Sequence, residues 1–319
     1  MCKLGALQKA QANELEVLKW LLWINGQNML SPELIKKIKK IHIKCNRQVN
    51  TLMAGQYKSV FRGTGIEFEE VRDYTPGDEV KNIDWKVSAR MGRPFIKLYR
   101  EERELIVMLL VDMSASGGFG TGESIKTEKA VEVAAVLAFN AIRNNDKVGA
   151  ILFTDTVEKY IPPKKGSSHV WRVIREIFAF DPRGKETDIQ AAVSYLGRVC
   201  RKRTVSFLIS DFLSSDYFKR LKITAKKHEL IGVLISDPGE FSLPEGGMIL
   251  IEDFETGKRL FLDASDSKTR KLYQGEKKEA YLKTLEQLKS ADIDCIEIST
   301  RDVVTDALIK YFRYRKQRM

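Results

Sequence analysis

Leu105-Ile106-Val107-Met108-Leu109-Leu110-Val111, an unbroken apolar run, passes directly into Asp112-Met113-Ser114-Ala115-Ser116. Seven apolar residues without alternation read as a strand covered on both faces, as in a parallel sheet between helix layers. Downstream, a helical period over 126–143 (Val131, Ala134, Ala135, Ala138, Ile142), closed by Asn144-Asn145-Asp146, leads to a second apolar run, Val148 to Phe153. Helical patterns at 168–179, 188–200 and 215–228 then alternate with apolar strands at 204–209 and 230–235. Ile249 to Ile251 and Arg259 to Leu262, joined through Glu255-Thr256-Gly257, predict a small antiparallel pair. A long helix at 267–289, a strand at 293–298 and a helix at 303–314 complete the pattern. Repeated β-α units of this kind predict an α/β fold with a mostly parallel, Rossmann-like sheet over 105–315, leaving 316–319 as a basic tail.

Upstream the texture differs. Ser31-Pro32-Glu33 combines a capping residue, a proline at the first helical position and an acid in the first turn. Leu34, Ile38, Ile41, Cys45, Val49 and Leu52 follow at spacings of three and four, which predicts an amphipathic helix. Residues 1–30 show no comparable pattern and read as an appended segment. From Gly63 to Glu104 short alternating runs (Ile66, Phe68, Val71; Pro94 to Tyr99) are broken by the turn signal Thr75-Pro76-Gly77-Asp78. The helix and a small β-rich subdomain are therefore expected over 31–104. Asp84-Trp85 and Arg90 read as an aromatic anchor and an ion pair fastening that subdomain to the sheet. Glu67, Glu69, Glu70 and Asp73 are expected to pair with Arg62, Arg72 and Arg90.

The chain of 319 residues is 43% hydrophobic and 30% charged, enough to build a sizeable core and too apolar for a disordered protein. Val17 to Ile24 includes Lys19 and is far shorter than the roughly 20 residues that span a bilayer. Four cysteines form no CxxC pair and three histidines lie far apart, so zinc and a disulfide framework are not indicated and a reducing cytoplasm is. The net charge of +11 is concentrated: residues 36–62 hold eight Lys or Arg and residues 310–319 five, with no acid in either stretch. Lys36, Lys37, Lys40, Lys44 and Arg47 form the polar face of the amphipathic helix. They read as a solvated surface or as a contact for acidic protein, lipid headgroups or nucleic acid.

In open α/β sheets ligands bind beyond the carboxyl ends of strands. Asp112, Ser114 and Ser116 put one carboxylate and two hydroxyls on one such turn. Thr187, at the start of a helix, and Asp211, directly after the run ending Leu208-Ile209-Ser210, add oxygen ligands from two other strand ends or loops. An all-oxygen set of low charge suits a hard divalent cation, magnesium or manganese. Enzyme signals are weak. No Walker lysine loop or dinucleotide glycine fingerprint follows a strand, and no G-x-S-x-G elbow accompanies His169 or His228, which read as packing or surface residues. A metal with acids nearby leaves a magnesium-dependent hydrolase as a further possibility.

The five oxygen residues resemble the metal-ion-dependent adhesion site of von Willebrand factor A domains. The resemblance extends through Gly65-Ile66-Glu67-Phe68, Val71-Arg72-Asp73-Tyr74, Gly77-Asp78, Ile83-Asp84-Trp85, Ser88-Ala89-Arg90, Pro162-Pro163 with Gly166, Ser210-Asp211-Phe212, and Ser236-Asp237-Pro238 with Leu243-Pro244. These are similar to the signature of the bacterial family called domain of unknown function 58. Lys185-Glu186, where glycines are more usual, and Gly117, where methionine is common, depart from its pattern. The resemblance implies a von Willebrand-type domain with a small β subdomain and no settled enzymatic activity, often working beside a MoxR-type AAA+ ATPase. A partner or client Asp or Glu would complete the ion's shell. The competing expectation is a nucleic-acid or anionic membrane-surface binder using residues 36–62 and the tail.

Overall fold

The computed structural model describes residue 57 and residues 65–102, 105–214 and 216–318. The expected N-terminal helix, the segment 1–30, Arg62 and the basic residues Lys36, Lys37, Lys40, Lys44 and Arg47 lie outside the described residues. Among the described residues no helix is long and apolar enough to cross a membrane.

The leading apolar run forms β3 (Ile106–Asp112), preceded by an antiparallel hairpin of β1 (Gly65–Asp73) and β2 (Phe95–Glu102) with the short helix α1 (Trp85–Met91) between them. After β3 come α2 (Lys126–Arg143), β4 (Lys147–Phe153), β5 (Val157–Lys164), α3 (Ser167–Phe178), α4 (Ile189–Val199) and β6 (Val205–Ser210). The chain continues through α5 (Phe218–Lys227), β7 (Glu229–Ser236), the hairpin β8 (Met248–Glu252) and β9 (Arg259–Asp263), α6 (Ser267–Ser290), β10 (Asp294–Ser299) and α7 (Val304–Arg318). Six strands make one sheet in the order β10-β7-β6-β3-β4-β5, parallel except for β5, which runs against β4 at the edge.

Side-chain alternation along buried strands builds two cores. Val107, Leu109 and Val111 of β3 join Phe207, Val233 and residues of α2, α3 and α7 on one face. Met108 and Leu110 join Leu208, Leu234 and residues of α4, α5 and α6 on the other. Every residue of β3 from Val107 onward is buried, which explains its unbroken apolar sequence. At the edge, Gly149 of β4 lets β5 approach closely, since a Cβ there would lie 2.7 Å from the Ile161 carbonyl oxygen.

Several local expectations are corrected. Strand β5 was not foreseen; Pro162 and Pro163 interrupt its pattern, and an edge position is where a strand tolerates proline. Trp85 is 68% exposed, so its ring is not the buried anchor expected. Asp84 instead caps α1 by accepting hydrogen bonds from the Lys86 and Val87 amides and pairs with Lys97. Arg72 pairs with Asp78, across the turn, and Asp73 with Arg93. The last helix runs four residues past Tyr314, so 316–318 are helical.

Candidate metal centre at the strand ends

Strands β4 and β6 lie on opposite sides of β3, so the loops leaving β3 and β6 part at a topological switch point, where a crevice opens beyond the carboxyl ends. Asp112, the last residue of β3, and Asp211, the first after β6, face each other there. The β3 loop is held by its own backbone: the Ser114 amide donates to Asp112 Oδ1 (3.0 Å) and the Ala115 amide to the Lys185 carbonyl (2.9 Å). The second bond draws the 181–188 loop, and Thr187 with it, onto the site. Ser214 Oγ donates to the Thr187 carbonyl (2.9 Å), which ties in the loop after β6. Asp112, Ser114, Ser116 and Asp211 thus meet at one small cavity, while Thr187 lies on a loop tied to it and turns its hydroxyl to Glu255.

The Ser114 and Ser116 hydroxyls are 3.1 Å apart. Asp112, Ser114, Ser116, Ser210 and Asp211 line a cavity of about 20 Å³, on the scale of a single small ion or water. Burial, and then the negative charge of Asp211, push the Asp112 carboxyl up to about 7, against hydrogen bonds from Ser210 (Oγ to Oδ2, 2.5 Å) and Ser114. Phe212, next to Asp211, has a left-handed backbone (φ 58°), unusual for a bulky residue. The turn is held by the Phe212 amide donating to Ser210 Oγ, the Leu213 amide donating to Asp211 Oδ1 and the buried Phe212 ring.

Four participants were not foreseen. Ser210 is one. Lys126, the first residue of α2, is 3% exposed and donates to Asp211 Oδ2 (2.7 Å) and Glu240 Oε1 (2.6 Å). Burial pulls its ammonium down, but the charges of Asp211 and Glu240 outweigh this and hold it above its ordinary value. Glu240 sits in the turn after β7. Glu255, between β8 and β9, accepts a hydrogen bond from Thr187 Oγ1 (2.7 Å) and lies beside Ser116.

The donor set fits a divalent cation on three counts: its ligand atoms are all oxygen, Asp112 is buried against Asp211 with Lys126, which also lines the cavity, paired to Asp211 and not to Asp112, and the cavity has single-ion size. Among the described residues no three carboxylate, imidazole or thiol groups converge, so a cation here depends on the hydroxyls. The two histidines are structural, as expected: His169 Nε2 lies 2.9 Å from the Val148 carbonyl and His228 Nδ1 2.9 Å from Thr204 Oγ1.

The architecture is α/β, a mostly parallel six-stranded sheet between two helix layers. Residues 70–281 match the family described as protein of unknown function DUF58, and the chain belongs to that family. An uncharacterised protein of Mycobacterium tuberculosis is 31% identical over 229 residues, covering 71% of this chain and 72% of its own. Among solved structures, the conserved hypothetical protein BatB from Bacteroides thetaiotaomicron is similar at 15% identity, with a TM-score of 0.46 over 67% of this chain and 99% of its own. A mussel byssus protein, proximal thread matrix protein 1 with a zinc-occupied MIDAS motif, is similar at 16% identity and a TM-score of 0.33, over 42% of this chain and 38% of its own.

Proposed function

We propose that the chain is a cytoplasmic binding protein rather than an enzyme, in which Asp112, Ser114, Ser116, Thr187 and Asp211 hold a magnesium or manganese ion that receives a partner's carboxylate. The observation that carries this reading is one small cavity at the switch point of the sheet lined by the carboxylates of Asp112 and Asp211 and the hydroxyls of Ser114 and Ser116, with the Thr187 loop tied to it. With three neutral donors among five, such an ion keeps residual positive charge and an open position for an acidic group. Asp112 supplies charge from the buried end of β3, and its oxygens are oriented by Ser210 and the Ser114 amide. Asp211 supplies charge from the opposite side, steadied by Lys126. Ser114, Ser116 and Thr187 position without neutralising. The partner class that the family resemblance implies is a MoxR-type AAA+ ATPase, with a client contributing Asp or Glu, in complex assembly or maturation.

Hydrolysis is the weaker reading because the nearby acids are already engaged. Asp211 and Glu240 share Lys126, and Glu240 also accepts from the Asp237 amide, so neither is presented as a free base for water. The electrostatic alternative draws partly on the C-terminal residues, yet Arg315 is spent on Glu229 and Asp294, and Arg318 on Asp294.

Calorimetric titration with magnesium and manganese tests the site. One ion per chain is expected, with binding lost in Asp112→Asn plus Asp211→Asn; undiminished uptake by that variant overturns the assignment. At a free ion concentration of about 100 Kd the wild type should gain roughly 2.7 kcal/mol of stability, read as a raised melting temperature. In a binding assay against the ATPase, chelator should release the complex. A complex indifferent to chelator but dissolved by moderate salt would favour the phosphate-directed reading.

A further inference from the structure

The hairpin between β7 and α6 is thinly attached. Of the residues from Glu252 to Phe261, Glu255 alone is half-buried and the rest are exposed, and a two-stranded ribbon has little stability of its own. Met248, Leu250, Leu260 and Phe261 are all exposed along its strands. Its tip is nevertheless built to a definite shape. Asp253 Oδ1 accepts from the Glu255 and Thr256 amides (2.9 and 3.3 Å), Asp253 Oδ2 accepts from Thr256 Oγ1 (2.7 Å), and Gly257, at φ 67°, closes the turn with its amide on the Asp253 carbonyl (2.7 Å). That turn delivers one carboxylate, Glu255, onto the hydroxyl of Thr187 (2.7 Å) and beside Ser116, residues from two different loops of the candidate metal centre. A carboxylate held by a hydroxyl of a cation-binding loop is placed where a bound cation would attract it.

We propose that Glu255 is the chain's own carboxylate for this site: it takes the open position on the bound ion, and a partner's acid binds by displacing it together with the β8–β9 hairpin. This rests on the metal reading above and adds an internal ligand that competes with the partner. Release of Glu255 detaches the tip from Thr187, so hairpin mobility and site occupancy by a foreign acid are linked. The occupant that displaces it is an Asp or Glu side chain on an acidic segment, since the position is shaped for a carboxylate.

Manganese alone is a sufficient probe, because its paramagnetism reports the number of exchangeable waters on the bound ion. Full-length wild type, Glu255→Ala and Glu255→Gln are compared by titration, by water-proton relaxation and by hydrogen exchange of residues 248–263, with acetate added as the carboxylate probe. Expected are about tenfold weaker manganese binding in Glu255→Ala, taking the lower end of the range for perturbed metal ligation. Higher water relaxation per bound ion is expected in both variants, with acetate lowering it in the variants and leaving wild type unchanged. Manganese should slow exchange across the hairpin in wild type and not in Glu255→Ala. If manganese binds in an Asp112-dependent way but relaxation, acetate response and exchange are the same in all three proteins, the internal ligand is overturned while the metal site stands. If wild type binds no manganese, or binds it equally with Asp112→Asn, both fall. Equal metal-free melting temperatures of the three proteins establish that the variants fold.

Discussion

Two buried aspartates stand at the carboxyl ends of strands in this sheet and behave in opposite ways. Asp237, just after β7, accepts four hydrogen bonds: from Thr121 Oγ1 (2.5 Å), the Thr121 amide (3.2 Å), Thr300 Oγ1 (2.5 Å) and the Gly239 amide (2.8 Å). Burial raises its pKa, but those donors outweigh it and hold the carboxyl below its usual range. Asp112, two strands away, accepts from one amide and one hydroxyl, faces Asp211 and is pushed up to about 7. One aspartate is a completed fastener that ties the 117–124 loop to the loop after β10. The other is a carboxylate short of positive charge. Position at a strand end does not separate a structural acid from a ligand; the count of donors around it does.

Substitution should break that pairing most visibly. Asp237→Ala leaves Thr121, Thr300 and Gly239 without their acceptor in a buried place, and a loss of roughly 3 kcal/mol or more is expected in chelator. That corresponds to a fall of about 10 °C in melting temperature for a domain of this size. Asp112→Asn, which removes a disfavoured charge, should leave metal-free stability within about 1 kcal/mol of wild type or raise it, while abolishing ion binding. Thermal melts in chelator decide it, and equal damage from both substitutions would contradict the distinction.

Lys126 sharpens the comparison because it supplies the single positive charge on the Asp211 side. Lys126→Met leaves Asp211 and Glu240 as uncompensated acids, at a cost of roughly 3 kcal/mol in chelator. Saturating magnesium should recover much of this in the variant, more than it adds to wild type, since a cation at the site replaces the lost charge on Asp211. If magnesium stabilises both proteins equally, the ammonium and the ion do not share Asp211.

How much of this was legible in the sequence follows from distance along the chain. Unalternated apolar runs report two-sided burial locally, so β3, β4, β6 and β7 and the acids that end β3 and β6 could be read directly. Thr187 could be singled out by its position before a helix, but its hydroxyl goes to Glu255, a partner 68 residues away. Lys126 reaches Asp211 across 85 residues of chain, Glu240 reaches Lys126 across 114 and Glu255 reaches Thr187 across 68, and their segments read as an ordinary helix start, a turn and a hairpin tip. Only the Ser236-Asp237-Pro238 pattern hinted that the turn carrying Glu240 mattered; there Asp237 and Glu240 form a reciprocal capping box. The misreading of Trp85 has a different cause: an aromatic in a β-like context suggests a core, but Asp84 starts a helix there and turns the ring outward.

The smallest expected effect extends the donor-count argument to a base. His228 is 1% exposed, its Nδ1 shares a hydrogen bond with Thr204, and its Nε2 is buried with no hydrogen-bond partner. Burial, then the charges of Lys227 and Arg203, push its pKa down to about 4. An unfolded histidine titrates near 6.5, so between about 6.5 and 4 the unfolded chain binds more protons than the folded one. The contribution of neutral His228 is complete above about pH 6.5 and is lost as pH falls toward 4. Asp112 acts in the opposite sense over nearly the same window, because a raised carboxyl favours the fold as pH falls from about 7. The two are separated by working in chelator on an Asp112→Asn background and comparing urea midpoints from pH 7.5 to 4.5 with and without His228→Leu. The histidine-containing protein should lose stability more steeply below pH 6.5 than its leucine counterpart. Parallel curves would mean that His228 accepts its proton without cost in the fold, and that an unpartnered buried nitrogen is not the deficit it is taken to be here.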